Sequence, residues 1–294
     1  MKIAYVSDVL YPYIKGGCER RIWELSRRLV KRGHEVHIYS MKFWEGENIK
    51  IEEGVVLHGV CPATPLYKKS GRRSISQAIN FSFRVFPPLL RGDYDLIECN
   101  QFPYLPIVPA KICSILKRKP LAVSWHEVWG DYWYEYLGSL GFFGKLFERL
   151  TSGLPEKIIA VSRKTKEALI SLGIQKNKII LIPNGVDISF IQSVKPEKKG
   201  VDLIFVGRLI PEKNVDVLLK ALARIVGGGR DVSLVIVGEG PEKNNLISLA
   251  AELNVSGRVS FLGYFEEYRD LIAVMKSAKL LLLPSSREGF GLVV

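Results

Sequence analysis

The chain has 294 residues, a length typical of about two domains, and its 47% hydrophobic and 24% charged residues are ordinary for a folded protein. Its formal net charge of +12 at pH 7 favours an anionic partner, which could be a phosphorylated small molecule, a membrane surface or a nucleic acid. The four cysteines lie far apart, without a CxxC pair or a histidine at ligand spacing, which argues against a zinc site and for free thiols in a reducing compartment.

The beginning of the chain predicts a cytoplasmic protein. MKIAYVSDVLYP has one early lysine and soon meets Ser, Asp and Pro, so it is typical of a strand entering a loop and not of a signal peptide. No run of the sequence approaches the ~18 uninterrupted apolar residues of a membrane span. Any membrane contact is therefore expected at the surface, on the cytoplasmic face.

Strands and helices alternate through the first part of the sequence. KIAYVS predicts a strand, ERRIWELSRRLVKRG carries apolar residues at helical spacing, and HEVHIYS predicts the next strand. DYDLIECN, PLAVSWH and KIIAVS are further strand candidates, separated by enough residues for crossovers. This rhythm predicts a doubly wound parallel sheet.

A linker is predicted in IPNGVDISFIQSVKPEKKG, which combines Pro, Asn-Gly and a lysine-rich run. Beyond it, VDLIFVGRL, VSLVIVGEG, VSFLGYF and KLLLLPSS predict strands, and NVDVLLKALARIV, PEKNNLISLAAEL and YRDLIAVMKSA predict helices. We therefore place two α/β domains at residues 1–197 and 198–294. The second is expected to be incomplete, because its helices give thin cover for a doubly wound sheet and its last strand has no helix after it.

Two segments depart from this rhythm. Residues 125–147 bring tryptophans, tyrosines and phenylalanines close together, and residues 72–91 place aromatic side chains between arginines. One interpretation is ordinary helix core with a lid over a cleft. The other is an amphipathic surface that rests on an anionic membrane or holds a hydrophobic acceptor.

Candidate ligand-binding residues follow the strands, because open parallel sheets bind ligands beyond their carboxyl ends. Gly16 and Gly17 follow the first strand and open a helix whose N-terminus could approach a phosphate, although a tight turn explains them equally well. In the second domain, Arg208 and Lys213 follow a strand and could neutralise a diphosphate.

Two glycine-containing turns, VGEGP and FLGYF, follow the next strands of the second domain. Together they could form a slot in which a flat base lies against the backbone. The nucleotide-binding residues predicted in these turns are Gly238, Gly240, Leu262 and Tyr264. Each turn alone is weak evidence, and its combination with the basic pair predicts a nucleotide site.

The chain carries, in this order, GGCERRIWELSRRLVKRGHEVHIYS, AVS, IPNGVD, VGRLIPEKN, LVIVGEGP, VSFLGYF and LLLPSSREGFGLVV. In this combination it resembles the retaining glycosyltransferases of family 4, and the resemblance runs from the first strand to the last residue. It implies the α/β GT-B architecture, in which two Rossmann-like, doubly wound parallel-sheet domains face a cleft. The first domain would bind the acceptor and the second, here incomplete, the nucleotide-sugar donor.

The resemblance also implies roles for individual residues. Arg208 and Lys213 correspond to the pair that grips the donor's pyrophosphate and stabilises the leaving nucleoside diphosphate. Gly16 and Gly17 resemble the loop that approaches the phosphate and the acceptor. His126 resembles the active-site histidine that helps to orient the transferred sugar, and a structural histidine at a strand end is the alternative.

The last stretch of the chain resembles the beginning of the family's Glu–seven residues–Glu motif. Glu288 corresponds to the first glutamate, near the transferred sugar, and the backbone of Gly289, Phe290 and Gly291 would contact sugar hydroxyls. The second glutamate, which typically holds the nucleotide ribose, would fall beyond Val294. We therefore expect a C-terminally truncated chain with weakened or absent turnover.

The expected activity is retaining transfer of a hexosyl group from a UDP- or GDP-sugar to an acceptor hydroxyl, without a metal or other cofactor. The acceptor would be a carbohydrate or lipid-linked molecule in glycan, glycolipid or cell-envelope biosynthesis. The alternatives are a non-catalytic nucleotide-sugar-binding module and a sugar-nucleotide epimerase of the same architecture. Nucleic-acid binding is not expected, because no helix-turn-helix, RNP-like or zinc-finger pattern occurs.

Overall fold

A computed structural model describes residues 1–66, 73–198 and 200–294. The chain divides into two compact units, Met1–Gly185 and Val186–Val294. Each unit is built on its own sheet. No helix in the described part of the chain is long and apolar enough to cross a membrane.

The first unit combines strands and helices in the predicted alternation. Its strands are β1 (Lys2–Val6), β2 (Glu35–Lys42), β3 (Ile49–Glu52), β4 (Val55–Pro62), β5 (Leu96–Asn100), β6 (Leu121–Trp125), β7 (Lys157–Ala160) and β8 (Ile179–Leu181). Its helices are α1 (Gly17–Lys31), α2 (Ile75–Arg91), α3 (Ile107–Lys117), α4 (Tyr132–Leu137), α5 (Gly141–Gly153) and α6 (Arg163–Ser171). Among the described residues the strands form one sheet in the order β3-β4-β2-β1-β5-β6-β7-β8. Neighbouring strands are parallel except β3 and β4.

Helices cover both faces of this sheet. Because side chains alternate along a strand, Ala4 and Val6 of β1 point to one face and Ile3 and Tyr5 to the other. The first pair belongs to the core beneath α2 and α3, and the second packs with Ile22 of α1. The doubly wound parallel sheet predicted for the first domain is confirmed.

The sequence pattern does not predict the edge hairpin of β3 and β4. Glu52 pairs with Val55 across a two-residue turn, in which Glu53 (φ +47°) and Gly54 (φ +79°) both adopt the left-handed backbone of a type I′ turn. Residue Ile51 in β3 is 69% exposed, so this edge strand lacks the buried apolar run that marks the central strands.

The aromatic residues between 125 and 147 divide between the interior and the surface. Trp125 and Trp133 are 0% and 7% exposed and belong to the main core, as ordinary helix core would require. Phe142 and Phe143 of α5 are instead 55% and 64% exposed. The segment thus contains both core and an apolar surface.

The segment 72–91 is divided in the same way. Arg72 lies outside the described residues, and α2 begins after Ser74, whose hydroxyl accepts a hydrogen bond from the amide of Gln77 at 3.4 Å. Phe81 is buried against the sheet, whereas Phe83 is 75% exposed.

The second unit is a smaller doubly wound sheet. Its strands are β9 (Val201–Val206), β10 (Leu234–Val237), β11 (Val259–Leu262) and β12 (Ala278–Leu281), and its helices are α7 (Ile188–Ser193), α8 (Val215–Gly227), α9 (Lys243–Glu252) and α10 (Tyr268–Ser277). In the described part of this unit the strands are all parallel, in the order β11-β10-β9-β12. Phe205 and Ile236 pack with α8 and α9, whereas Ile204 and Val235 pack with α10 on the opposite face.

The division between the units lies upstream of the predicted boundary between residues 197 and 198. It falls directly after Gly185, because part of the predicted linker folds as helix α7 and belongs to the second unit. Lys276 of α10 donates to the carbonyl oxygens of Ile191 and Val194 at 3.1 and 2.6 Å, which ties α7 to the second unit. Lys199, near the end of that linker, lies outside the described residues.

Candidate active site

The loops that carry the predicted residues of the second unit lie along one edge of its sheet. Since all described strands of this sheet are parallel, their carboxyl ends point the same way. Residues 207–213 follow β9, residues 238–242 follow β10, residues 263–267 follow β11, and residues 282–291 follow β12. This is the edge at which open parallel sheets bind ligands.

The loops after β9 and β10 pack backbone against backbone. The amide of Leu209 donates to the carbonyl oxygen of Glu239 at 2.9 Å. A Cβ added at Gly238, whose φ is +138°, would lie 1.9 Å from the carbonyl oxygen of Gly207. A Cβ added at Gly240 would lie 2.2 Å from that of Leu209. Both predicted glycines therefore shape these loops, and their contact with a nucleotide stays a prediction.

Lys213 and Glu288 form an ion pair although 75 residues separate them in the chain. Lys213 ends the short 3-10 turn Pro211–Lys213 just before α8, and its Nζ donates to Oε1 of Glu288. The two side chains are 16% and 30% exposed, so water and ligands reach both. The pair joins the predicted diphosphate-binding cation to the predicted sugar-binding carboxylate.

Hydrogen bonds to the backbone frame this ion pair. Nδ2 of Asn214 donates to the carbonyl oxygen of Pro284 at 3.0 Å. The amide of Ser286 donates to the carbonyl oxygen of Glu212, also at 3.0 Å. These contacts fix the loop after β12 against the turn before α8. The sequence analysis did not predict these hydrogen bonds. The only trace of them in the sequence is the high proportion of polar residues in PEKN and PSSRE.

The remaining predicted residues of these loops lie close to the ion pair in sequence. Arg208 is exposed on the loop between β9 and α8. Gly289, Phe290 and Gly291 directly follow the glutamate of the pair, and Phe290 is 41% exposed. The amide of Val294 donates to the carbonyl oxygen of Gly291 at 3.0 Å, which closes a turn there.

A pocket of about 490 Å³ opens at the carboxyl end of β11. Two predicted residues, Leu262 and Tyr264, line it and are 37% and 57% exposed. The other lining residues are Glu197, Phe261, Gly263, Phe265 and Val274. The structure therefore places Lys213 and Glu288 in the ion pair and Leu262 and Tyr264 in this pocket. Gly238 and Gly240 lie where the loops after β9 and β10 pack together.

In the first unit, the predicted glycines form the start of α1. Gly17 is the first helical residue, and Gly16 is an extended N-cap without a side-chain cap. The carboxylate of Glu19 folds back over this start, since a Cβ at Gly16 would lie 2.2 Å from its Oε2. A phosphate bound at this helix N-terminus would have to displace that carboxylate, because like charges repel.

A buried network that sequence reasoning missed anchors α1. Nη1 of Arg21 lies 3.0 Å from Oγ of Ser124 and 3.3 Å from Oε1 of Glu98, and Ser124 donates to the same carboxylate oxygen at 2.5 Å. All three residues are at most 7% exposed. The network ties the second turn of α1 to β5 and β6. The sequence indicates this burial only through spacing: Arg21 lies four residues before Leu25 and eight before Leu29, on the same face of the helix.

His126 follows β6 and is held through its backbone. Its amide donates to Oε1 of Gln101 at 2.7 Å, and its carbonyl oxygen accepts from Oγ1 of Thr165 at 3.1 Å. Burial, with a smaller contribution from the positive charge of Arg21, lowers the pKa of His126 to about 3. The imidazole is therefore neutral near pH 7, and its buried Nε2 has no hydrogen-bond partner among the described residues.

A second buried ion pair lies beyond β1. The carboxylate of Asp8 is 0% exposed and pairs with the guanidinium of Arg73. Burial raises the pKa of Asp8 above its usual range, against the opposing effect of Arg73. Arg73 also lies 5.8 Å from the ring centroid of Phe102, and its amide donates to the hydroxyl of Tyr136 at 2.6 Å. Sequence reasoning missed this pair, because only the position of Asp8 after a strand marks it.

The described residues hold no group of three or more His, Cys, Asp and Glu side chains arranged for a metal ion. All four cysteines are free, as predicted, and three of them are buried. Burial raises the pKa of the Cys113 thiol to about 11, so this cysteine is a protonated core residue at neutral pH.

Two α/β units built on largely parallel sheets, the second with a cation and a carboxylate paired at the edge where such sheets bind ligands, are the arrangement that the family resemblance implies. The family model for Glycosyltransferase Family 4 matches residues 15–190, and the model for Glycosyl transferases group 1 matches residues 187–294. The chain belongs to Glycosyltransferase Family 4.

Individual relatives agree with this assignment. The chain is 27% identical to an uncharacterized glycosyltransferase of Methanocaldococcus jannaschii, over 100% of this chain and 77% of that relative. It is 24% identical to a phosphatidylinositol N-acetylglucosaminyltransferase component of Schizosaccharomyces pombe, over 98% of this chain and 62% of that protein. The crystal structure of HepE from Anabaena in complex with UDP and glucose matches with a TM-score of 0.71 at 21% identity, over 100% of this chain and 77% of that chain. This likeness confirms the predicted GT-B fold.

Proposed function

We propose that this protein is a retaining hexosyltransferase that moves a hexosyl group from a UDP- or GDP-sugar to a hydroxyl of a carbohydrate or lipid-linked acceptor. The observation that carries the proposal is the ion pair of Lys213 and Glu288 at the ligand-binding edge of the second sheet. Membership of Glycosyltransferase Family 4 supports glycosyl transfer. The UDP and glucose bound by HepE support a nucleotide-sugar donor.

The proposed donor contacts follow from the charges at this edge. The diphosphate of the donor replaces Glu288 as the partner of Lys213, and Arg208 on the same loop adds a second cation. As the bond between the anomeric carbon and the phosphate oxygen breaks, negative charge grows on the phosphate, so fixed cations stabilise the transition state. Glu288, released from the lysine, is then available to accept hydrogen bonds from sugar hydroxyls.

Retention of configuration is proposed to arise by displacement on one face of the sugar. The bond between the anomeric carbon and the phosphate oxygen breaks, the acceptor oxygen bonds to the anomeric carbon on the same face, and the acceptor proton passes to the departing phosphate oxygen. The neutral imidazole of His126 suits a hydrogen bond to an uncharged sugar hydroxyl better than a contact with phosphate. No metal is required by this scheme, which stays a prediction.

Calorimetric titration with UDP and GDP tests the donor site. The double variant Arg208→Ala/Lys213→Ala should lose measurable binding, whereas Lys220→Ala should keep it. Lys220 is a matched control, because it is an exposed lysine of α8 paired with Asp216 of its own helix. Equal affinity of the double variant and the control would refute the assignment of the basic pair.

Proton NMR of the product tests the reaction itself. Incubation with UDP-glucose or GDP-mannose should yield a glycoside, or a hydrolysed sugar, that forms first as the anomer present in the donor. An inverted first product would contradict the retaining mechanism. Nucleotide binding without turnover would favour a binding module, and a changed sugar still attached to its nucleotide would favour an epimerase.

A further inference from the structure

Helix α2 of the first unit carries a stripe of large apolar side chains on its outer surface. Ile75, Ile79 and Phe83 follow one another four residues apart and are exposed, Phe83 to 75%. The opposite side of α2 contributes Phe81 and Val85 to the core. The outer stripe is therefore separate from the residues that hold the helix on the sheet.

Helices α3 and α5 repeat this arrangement. On α3, Ile115 and Leu116 are both 62% exposed. On α5, Phe142 and Phe143 are 55% and 64% exposed. Further exposed apolar side chains on these two helices are Val108, Ile112, Leu146 and Leu150. Clustered exposed apolar side chains mark an interaction site more often than scattered single ones do.

Helices α2 and α3 pack against each other over one face of the sheet, and α5 packs against the same core cluster. Sγ of Cys113 in α3 lies 4.0 Å from the carbonyl oxygen of Phe86 in α2. Lys111 of α3 forms an ion pair with Glu156, shortly after the end of α5. Phe147 of α5 packs against the same core cluster as α2 and α3. The exposed apolar side chains of α2, α3 and α5 therefore belong to helices that cover one core cluster, and together we call them the outer apolar face.

The charged side chains on the outside of these three helices are basic. Each helix carries two basic residues, and these are Arg84, Arg91, Lys111, Lys117, Lys145 and Arg149. The three helices, all of whose residues the structure describes, contain one acidic residue, Glu148. It is 0% exposed and accepts hydrogen bonds from the amides of Trp129 and Gly130. The helices therefore present apolar and cationic side chains and no exposed carboxylate of their own, and the neighbouring carboxylates of Asp131 and Glu156 pair with Lys145 and Lys111.

This combination distinguishes between two kinds of partner. Protein–protein interfaces are enriched in phenylalanine and arginine but depleted of lysine, and the cores of such interfaces are depleted of charge in general. Anionic lipid headgroups instead attract lysine and arginine, while phenylalanine and leucine insert at the boundary between headgroups and acyl chains. The net charge of +12 adds a long-range attraction to the same surface.

We propose that the outer apolar face docks on the surface of a bilayer that contains anionic lipids. The phenylalanine, leucine and isoleucine side chains of α2, α3 and α5 enter the outer part of the acyl layer, and the basic side chains lie at the level of the lipid phosphates. The helices lie on the membrane and do not cross it. This inference concerns a surface of the first unit alone, so it does not depend on the proposed transfer reaction.

Vesicle flotation tests the proposal directly. The protein is mixed with vesicles of phosphatidylcholine alone, or of phosphatidylcholine with phosphatidylglycerol, at low and high salt. Binding to the anionic vesicles should exceed binding to the neutral ones by about tenfold or more at low salt, and added salt should weaken it. Recovery of the protein entirely in the soluble fraction in every condition would overturn the proposal.

An apolar variant separates insertion from attraction by charge. Phe142→Ser/Phe143→Ser should lower binding by about a hundredfold or more at both salt concentrations, because two phenyl rings that enter the bilayer on docking are removed. The matched control is Ile188→Ser in α7, a residue that is 63% exposed but belongs to the second unit. Circular dichroism and thermal melting of each variant verify that it is folded. Equal loss of binding in variant and control would contradict docking through this face.

A charge variant tests the basic side chains of the same face. Arg84→Glu/Arg149→Glu should abolish the preference for anionic vesicles, whereas Lys31→Glu/Arg32→Glu should weaken it far less. The control residues lie at the end of α1, which packs on the opposite face of the sheet. Sedimentation velocity supplies the remaining comparison. A dimer that Phe142→Ser/Phe143→Ser dissociates, with vesicle binding unchanged, would identify a protein interface and overturn the membrane proposal.

Discussion

Lys213 and Glu288 neutralise each other in the structure, so an anion that binds the lysine must compete with the glutamate. Neither side chain is deeply buried, which keeps the strength of their pairing modest in water. A diphosphate carries more negative charge and more acceptor oxygens than one carboxylate. The ion pair is therefore expected to open when donor binds.

This competition gives opposite predictions for the two partners. Lys213→Met should lower the affinity for UDP or GDP by about tenfold to a hundredfold, because a charge-assisted contact of about 1.5–3 kcal/mol is lost. Glu288→Gln should raise that affinity a few-fold and lower the rate of transfer. Calorimetry measures the first effect and a transfer assay the second. A drop in nucleotide affinity for Glu288→Gln would show that the carboxylate does not compete.

Replacement of Gly238 is expected to lower the stability of the protein. Alanine there combines a left-handed φ with a clash of its Cβ against the carbonyl oxygen of Gly207, so Gly238→Ala should destabilise the protein by about 2–4 kcal/mol. Gly227→Ala is the control, because its Cβ would meet no atom within 4 Å. Urea unfolding measures both. A Gly238→Ala variant as stable as the control would contradict the close packing of the two loops.

His126 makes folding stability depend on pH. Its pKa of about 3 in the folded protein lies below the value of about 6.5 in an unfolded chain, so the unfolded state binds the proton first as pH falls. Stability from this group is complete above pH ~6.5 and decreases by up to about 1.4 kcal/mol per pH unit below it. His58, whose pKa burial lowers to about 4, acts in the same direction.

Urea midpoints measured between pH 7 and pH 4 test this linkage. His126→Gln should flatten the fall in stability with acid, and adding His58→Gln should flatten it further. The quantity to compare is the slope of unfolding free energy against pH. A change in stability that is the same at every pH would reflect packing and not the titration of a histidine. A slope identical in the wild type and the double variant would show that neither histidine is buried uncharged.

At the scale of elements, the docking of α1 rests on a charged network inside the core. Arg21, Glu98 and Ser124 join the helix to β5 and β6. Arg21→Met should destabilise the protein by about 3–5 kcal/mol, because it leaves a buried carboxylate unpaired. The further change Glu98→Leu should restore part of that loss. Urea unfolding of the two variants is the measurement, and a double variant less stable than the single one would contradict the pairing.

Elements with a strong apolar period were predictable from the sequence, and those without one were not. The helix that contains Ile22, Leu25 and Leu29 and the buried strands β1, β5 and β6 follow directly from their patterns. Strand β3 is short and exposed, and its hairpin depends on two left-handed residues that the dipeptide Glu-Gly signals only weakly. For α7, the linker-like composition concealed a helix that long-range contacts with Lys276 stabilise.

The candidate site was predictable to the extent that it depends on strand ends. Following each strand to its carboxyl end located Arg208 and Lys213, and the family resemblance added Glu288. The positioning contacts of Gln101, Arg21 and Asp8 were not predictable, because each depends on a partner far away in the chain. Burial of such polar groups is a property of the folded sheet and leaves little trace in local sequence.

For the whole molecule, the two proposals assign different tasks to different units. The core clusters of the first unit share no residue with those of the second. A unit with its own core is expected to fold by itself. The proposed diphosphate contacts all belong to the second unit, and the outer apolar face belongs to the first.

Expression of the two units as separate chains, residues 1–185 and 186–294, tests this division. Each should unfold cooperatively in urea, because each retains the helices on both faces of its sheet. The first should bind anionic vesicles and no nucleotide, and the second should bind UDP or GDP and no vesicles. If each folded unit lost the binding expected of it, the binding surfaces would need residues of both units. If the second unit alone bound the vesicles, membrane contact would have to be reassigned to its own exposed apolar residues.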